Sequence, residues 1–353
     1  MTMAAATRDA VALMLHRDRG VAIWLFVIAA LIGLMVAVGG LVRLTGSGLS
    51  ITEWQPVTGA IPPLSDAEWQ AEFAKYQGSP QYELLNQGMG LAGFKAIYWW
   101  EWAHRLLGRA LGVIFAVPFL FFLWQRRFDR GLGLRLAVIF LLGGVQGALG
   151  WWMVQSGLEP TRIAVSQYRL AIHLGMAMVL FGYILWTGLE VIGAPRTKIM
   201  AARLKPWIVV FAVLVLLQIL LGALMAGLKA GHAFSDWPTY GELWVPFGLY
   251  DLSPWWANHF ENPIMVHFQH RMGGYAVAAM AVGLYVMSKR MGADKPLRSA
   301  AIHAVLLTAM QVALGIVTIL TGVPILVAAA HQISALVLFG AALWWIYVCR
   351  QPR

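Results

Sequence analysis

Apolar residues run along the chain in eight long stretches, at about 21–42, 98–124, 136–154, 170–192, 207–228, 264–287, 300–320 and 325–348. Each is close to the roughly 20 residues a helix needs to cross the hydrocarbon of a bilayer. The pattern therefore predicts an all-α polytopic membrane protein with eight transmembrane helices. Two polar stretches separate them at length, about 43–97 and 229–263. "SITEWQPVTGAIPPLSDAEW" and "AFSDWPTYGELWVPFGLYDLSPWW" are too polar to span and too aromatic for loose linkers. They read as caps on the outer membrane surface, where Trp and Tyr favour the interface.

Composition agrees. Of 353 residues, 60% are hydrophobic and 12% charged, about half the charged share of a soluble protein, and mean hydropathy is +0.69. A soluble two-domain enzyme is excluded. The net charge of +10 does not indicate nucleic acid, because 17 of the 26 Lys and Arg lie in short segments that fall on one side of eight spans. That side is expected to be cytoplasmic, with both termini inside. Residues 1–20 read as a cytoplasmic tail, partly an amphipathic surface helix, without a cleavage site. The lone cysteine, Cys349, allows no internal disulfide and no cysteine-based metal site.

The chain is written twice. With an offset of 183, Trp24, Gly39, Gly48, Glu53 and Trp54 meet Trp207, Gly222, Gly231, Asp236 and Trp237. His104, Arg105 and Gly108 meet His270, Arg271 and Gly274; "QGALG" meets "QVALG"; His173 meets His331. Four spans match four spans in the same order, which predicts two tandem four-helix bundles related by a pseudo-two-fold axis along the membrane normal. The domains are then a tail at 1–20, an N-terminal half at 21–192, a linker at 193–206, a C-terminal half at 207–348 and a tail at 349–353.

Nine histidines are present. His16, His232, His259 and His303 fit solvated or locally bonded side chains. His104, His173, His270 and His331 form two repeat-matched pairs near the outer ends of even-numbered spans. Ionisable residues in a membrane helix are functional candidates by default. Two histidines without cysteine or clustered carboxylates do not suit zinc; they suit axial ligation of haem iron. Gly108 and Gly274, four residues beyond His104 and His270, share their faces and leave room for a porphyrin. Arg105, Arg109 and Arg271 either meet propionates or extend to the interface. Glu101 precedes His104 by three residues, and His267 stands in the equivalent place before His270. That asymmetry suits an enzyme with one cofactor haem and one substrate haem; the other reading of Glu101 is a helix-start residue favoured by the dipole.

"GGLVRLTGSGLSITEW", "EWAHRLLGR", "HFQHRMGGY" and the paired later histidines resemble the haem A synthase (COX15/CtaA) family over about residues 21–348. The resemblance implies oxidation of the C8 methyl group of haem O to a formyl group, giving haem A. It implies that His270 and His331 bind a haem b cofactor, that His104 and His173 ligate the substrate haem, and that Glu101 is catalytic. Without outer-loop cysteines, the chain resembles the family's cysteine-less type. The implied setting is a cell inner membrane with both haem sites near the outer face. Candidate partners are an electron donor, haem O synthase, cytochrome oxidase assembly factors and a second copy of the chain. The alternatives are a dihaem b-type electron-transfer protein, which does not fit four histidines at one level, and a haem transporter.

Overall fold

The computed structural model describes residues 3–160, 162–198 and 201–350, with side chains from residue 19 onward except that of Ala202. The amphipathic face expected of the N-terminal tail, the His16 side chain and the extreme C-terminal residues lie outside this set. All regular structure among the described residues is helical. In chain order the helices are α1 (Met3–Leu44), α2 (Asp66–Gln77), α3 (Pro80–Leu85), α4 (Leu91–Trp124), α5 (Arg130–Gln155), α6 (Gln167–Ile192), α7 (Lys205–Gly227), α8 (Asn258–Glu261), α9 (Pro263–Arg290), α10 (Lys295–Leu320) and α11 (Ile325–Val348).

Eight of these are long, and each covers one expected stretch. Seven are apolar enough over their length to cross a membrane: Arg19–Leu44 within α1, and α4, α5, α6, α7, α10 and α11. The exception is α9, which carries His267, His270, Arg271, Lys289 and Arg290. The residues that suggest chemistry are the ones that dilute its hydropathy.

Helix boundaries follow local chemistry. Asp129 and Asp294, equivalent by the repeat, cap α5 and α10 by accepting from Leu132 N at 2.6 Å and Leu297 N at 3.4 Å. Gly193 ends α6 in the left-handed conformation, φ 63°, with Ala194 N bonded back to Leu189 O. α4 corrects an expectation: it begins at Leu91, not at 98. Its first turns carry Phe94 and Tyr98, which pack with Trp69, Phe73 and Tyr76 of α2 in an aromatic cluster of their own. Packing on the loop, not contact with lipid, extends the helix at its N-terminal end.

In the N-terminal half α1 packs on α4 and α6, and α5 on α4 and α6; in the C-terminal half α7 packs on α9 and α11, and α10 on α9 and α11. The halves meet where α6 touches α7, α1 touches α11 and α6 touches α11. One core runs through both, from Trp24, Ile28, Phe115 and Phe181 to Phe211, Leu284, Phe339 and Trp345. Gln332 Nε2 ties α11 to the Val36 carbonyl of α1 at 2.8 Å, and Arg43 donates to the Ala226 carbonyl at the end of α7. Outward-facing Val113, Val117, Leu120, Phe121 and Trp124 leave an apolar rim, as expected of a helix meeting lipid.

The first long loop is ordered by α2, with its Ser65–Glu68 capping box, and by Lys75 between Glu53 and Glu72 at 2.9 and 2.8 Å. Lys75 holds the Glu53 carboxyl below its usual range. In the second loop Asn258 and Asn262 pin the backbone at Leu252 and Gly248.

Candidate functional site

All four repeated histidines are half-buried on long helices, and the Cε1 edge of each ring approaches a glycine of a neighbouring helix. A Cβ on Gly39 of α1 would stand 2.9 Å from His104 Cε1; on Gly150 of α5, 2.9 Å from His173 Cε1; on Gly222 of α7, 3.4 Å from His270 Cε1; on Gly315 of α10, 3.0 Å from His331 Cε1. A side chain at Gly39, Gly150 or Gly315 would push against the ring, while a Cβ at Gly222 would meet it at ordinary contact distance. The two C-terminal rings face each other with centroids 6.3 Å apart and planes at 76°. His104 and His173 lie within electrostatic range of each other.

These glycines differ from those expected. A Cβ on Gly108 would stand 3.7 Å from Met35 Cε, and one on Gly274 would stand 3.7 Å from Gln218 Nε2. Both serve helix contacts with α1 and α7. The signal for the ring-bearing glycines was in the sequence: Gly39 matches Gly222, and Gly150 and Gly315 close the paired "QGALG" and "QVALG".

The glutamines that open those motifs reach the histidines as well. Gln146 Nε2 donates to the His173 carbonyl at 3.1 Å, Gln311 Nε2 to the His331 carbonyl at 3.0 Å, and Gln218 Nε2 to the His270 carbonyl at 2.7 Å. Gln218 Nε2 is also 3.1 Å from His270 Nδ1, and Ser334 bonds Gln311 Oε1. The Nδ1 atoms of His104, His173 and His331 are buried without a hydrogen-bond partner.

The N-terminal parts of α4 and α9 carry a second repeated device. Glu101 is 3% exposed. Its Oε2 accepts from Ser50 Oγ at 2.8 Å and from Ile51 N at 2.9 Å, and its Oε1 from Arg105 Nη2 at 2.7 Å. The structure thus corrects the helix-start reading: Glu101 stands almost three turns inside α4 and receives its partners from the side. His267, its equivalent, bonds the Ala230 carbonyl at 3.0 Å through Nδ1 and accepts from Arg271 Nε at 3.0 Å. Arg105 Nη1 reaches the Glu53 carbonyl at 2.9 Å, and Arg271 Nη2 reaches the carbonyl of Asp236, the matching residue, at 2.7 Å. Arg109 grips the Gln55 and Pro56 carbonyls at 2.7 and 2.8 Å, leaving Nη1 buried and unpartnered. The arginines expected at propionates therefore tie the two long loops to the helices, with a free donor at Arg109. Burial holds the Tyr240 hydroxyl, beneath Arg271, up at about 12, so that end of the second loop carries no phenolate.

Among the described residues no three or more His, Cys, Asp or Glu converge as they would around a bare metal ion. A group needing two axial imidazoles fits better. Metal–imidazole bonds are about 2.0 Å long and ring nitrogens lie roughly 1.1 Å from their centroid, so two imidazoles on one metal have centroids roughly 6 Å apart. The His270–His331 spacing, the glycine beside each ring and the unpartnered Nδ1 atoms of His104, His173 and His331 all fit haem iron ligation.

Residues 22–343 match the COX15-CtaA family, described as cytochrome oxidase assembly protein. The chain is similar to the protein named Heme A synthase of Parvibaculum lavamentivorans, 48% identical over 93% of each chain. It is also similar to that of Paracoccus denitrificans, 47% identical over 94% of this chain and 88% of the relative, and to that of Rhizorhabdus wittichii, 46% identical over 96% of each. The motifs around the paired histidines, the all-helical fold and these relatives agree: the chain belongs to the COX15-CtaA family.

Proposed function

We propose that this protein is a haem A synthase, a membrane oxidoreductase that converts the C8 methyl group of haem O to the formyl group of haem A through successive hydroxylations. The observation that carries the reading is the pair of facing imidazoles on α9 and α11, repeated as histidines on α4 and α6 with glycines behind all four rings. His270 and His331 hold a haem b cofactor; His104 and His173 ligate the substrate haem. Bound haem b supplies one-electron chemistry at its iron.

The chain's own residues divide the rest. The glycines at 39, 150, 222 and 315 seat the imidazole rings, and the bundle excludes water from the macrocycle. Glu101 lies one turn from His104 and holds Arg105 and the 50–51 backbone over the substrate site. There it places negative charge where a proton is taken or a water oriented as the methyl carbon is oxidised. His267, neutral and bonded on both nitrogens, does only the tethering part of that work in the other half. Arg109 Nη1 is the donor available to a propionate.

In this reading α9 crosses the membrane with the other seven helices, its polar groups turned into the site. The halves 21–192 and 207–348 are related by a pseudo-two-fold axis along the membrane normal, an arrangement supported by the matched helix contacts. In the same reading segments 126–135, 196–205 and 289–298 and both termini are cytoplasmic, supported by the basic residues of those segments, with the haem sites at the outer face of the inner membrane. Reporter fusions in 43–97 are then exported; cytoplasmic reporter activity there contradicts the topology. The reaction is tested by expression in a host that makes haem O but lacks its own haem A synthase, followed by haem extraction and mass analysis. Appearance of haem A supports the proposal, and persistence of haem O alone overturns it.

A further inference from the structure

The packing that holds the four histidines is repeated three times and broken once. Q-x-x-x-G stands on α5 (Gln146, Gly150), α7 (Gln218, Gly222) and α10 (Gln311, Gly315). Four residues apart, each glutamine and glycine share a helix face. The glycine seats the imidazole of the neighbouring helix, and the glutamine donates to that histidine's own carbonyl. On α1 the glycine is kept as Gly39, under His104, but the glutamine position is Met35. A thioether has no N–H to donate.

The difference extends to the facing helix. The Gln218 side-chain oxygen occupies the space a Cβ would take at Gly273. The residue equivalent to Gly273 is Leu107, whose Cβ closes that slot. The N-terminal half thus lacks both the amide and the room for it, and Met35, a flexible and adaptable side chain, rests on Gly108 instead. An amide bonded to the carbonyl of the ligand residue resists rotation or sliding of the ligand helix; a methionine in van der Waals contact does not.

We infer that His104 is the releasing ligand of the substrate site, left unclamped by Met35 and Leu107 so that α4 yields as the tetrapyrrole substrate enters and its product leaves, while Gln218 and Gln311 are positioning residues that retain the C-terminal haem. This rests on the two-haem reading above. The two sites then differ in function because one of four helix clamps is missing. A cofactor must stay, and a product must go.

The test uses the full-length protein, purified in detergent from a haem-O-making host and mixed with excess apomyoglobin as haem acceptor. Transferred haem b and haem O or A are separated by extraction. In the unaltered protein haem O and A leave at least about tenfold faster than haem b, the factor associated with one hydrogen bond. Met35→Gln with Leu107→Gly installs the clamp and its slot, and slows haem O and A release about tenfold with haem b release unchanged. Gln218→Met speeds haem b release by a similar factor, with its low-spin two-imidazole spectrum retained. Equal release of both haems from the unaltered protein overturns the inference, as does a double variant that keeps haem b and releases haem O and A at the original rate. If the double variant does not accumulate, Gln218→Met decides: unchanged haem b release refutes the clamp. Absence of any haem O or A from the N-terminal half would refute the two-haem reading, while the Gln218→Met result still stands or falls alone.

Discussion

The N-terminal part of α4 and the N-terminal part of α9 are built to one plan and finished differently. Both present a side chain three residues before a histidine, an arginine one after it, and a loop whose carbonyls that arginine holds. In α9 the first side chain is His267, neutral and bonded to Ala230 and Arg271. In α4 it is Glu101, a buried carboxylate accepting from Ser50, Ile51 and Arg105. A duplicated scaffold can keep the tether with either residue, so the carboxylate is the part of the N-terminal copy that tethering does not require. A buried charge is costly unless paired, and the N-terminal half carries that cost on the side assigned to chemistry.

The sharpest way to break this comparison is to exchange the finishing residues. Glu101→Gln keeps the shape and the Ser50 contact and removes the charge. Haem A formation is expected to fall about 100-fold or more, with C-terminal haem b still bound; His267→Gln is expected to leave the rate within a few-fold. Normal haem A formation by Glu101→Gln would reduce the carboxylate to a tether. Glu101→Ala is the destabilising counterpart, since it strands Arg105 beside an empty buried position, a loss of about 3–5 kcal/mol visible as lowered thermal stability in detergent.

A smaller effect separates the glycines. A Cβ at Gly39 comes within 2.9 Å of His104, while one at Gly222 stays 3.4 Å from His270. Gly39→Ala is expected to cost about 1–3 kcal/mol through overpacking and to weaken substrate haem binding. Gly222→Ala is expected to retain haem b with a near-normal spectrum. Equal tolerance at both positions, read by haem content and melting temperature, would mean that the rings are not seated as described.

The helices were legible in the sequence because the apolar runs are of membrane length, and the paired motifs because Trp, Gly, His and Arg recur at matched spacings. The four histidines stood out for the same reason. The start of α4 did not: Leu91–Ile97 joins the helix by packing Phe94 on a loop helix, a tertiary contact that periodicity does not record. The arginines were legible only in part, since a guanidinium that binds a loop carbonyl and one that binds a propionate look alike in sequence. Gly150 and Gly315 were visible as repeat matches, but their partnership with His173 and His331 is a contact between helices.

The mildest test concerns the first long loop, which carries the Lys75–Glu53–Glu72 ion pairs described above. Glu53 has a lowered pKa in the folded state, chiefly from its hydrogen bond to Lys75. Its contribution is therefore present above the unfolded carboxylate value and is lost as pH falls below it. Lys75→Ala, or acidification to below about pH 4, is expected to increase proteolysis within 43–97. The loss is under about 1 kcal/mol for so exposed a pair, and haem b content stays unchanged.

The central claim is that two like-built histidine pairs hold different haems. It is tested most directly by extracting and identifying the haems bound to His331→Ala and His173→Ala variants purified from a haem-O-making host. The account predicts that His331→Ala loses haem b and keeps haem O, and that His173→Ala keeps haem b and loses haem O and A. Loss of the same haem from both variants, or retention of both haems in either, would contradict it.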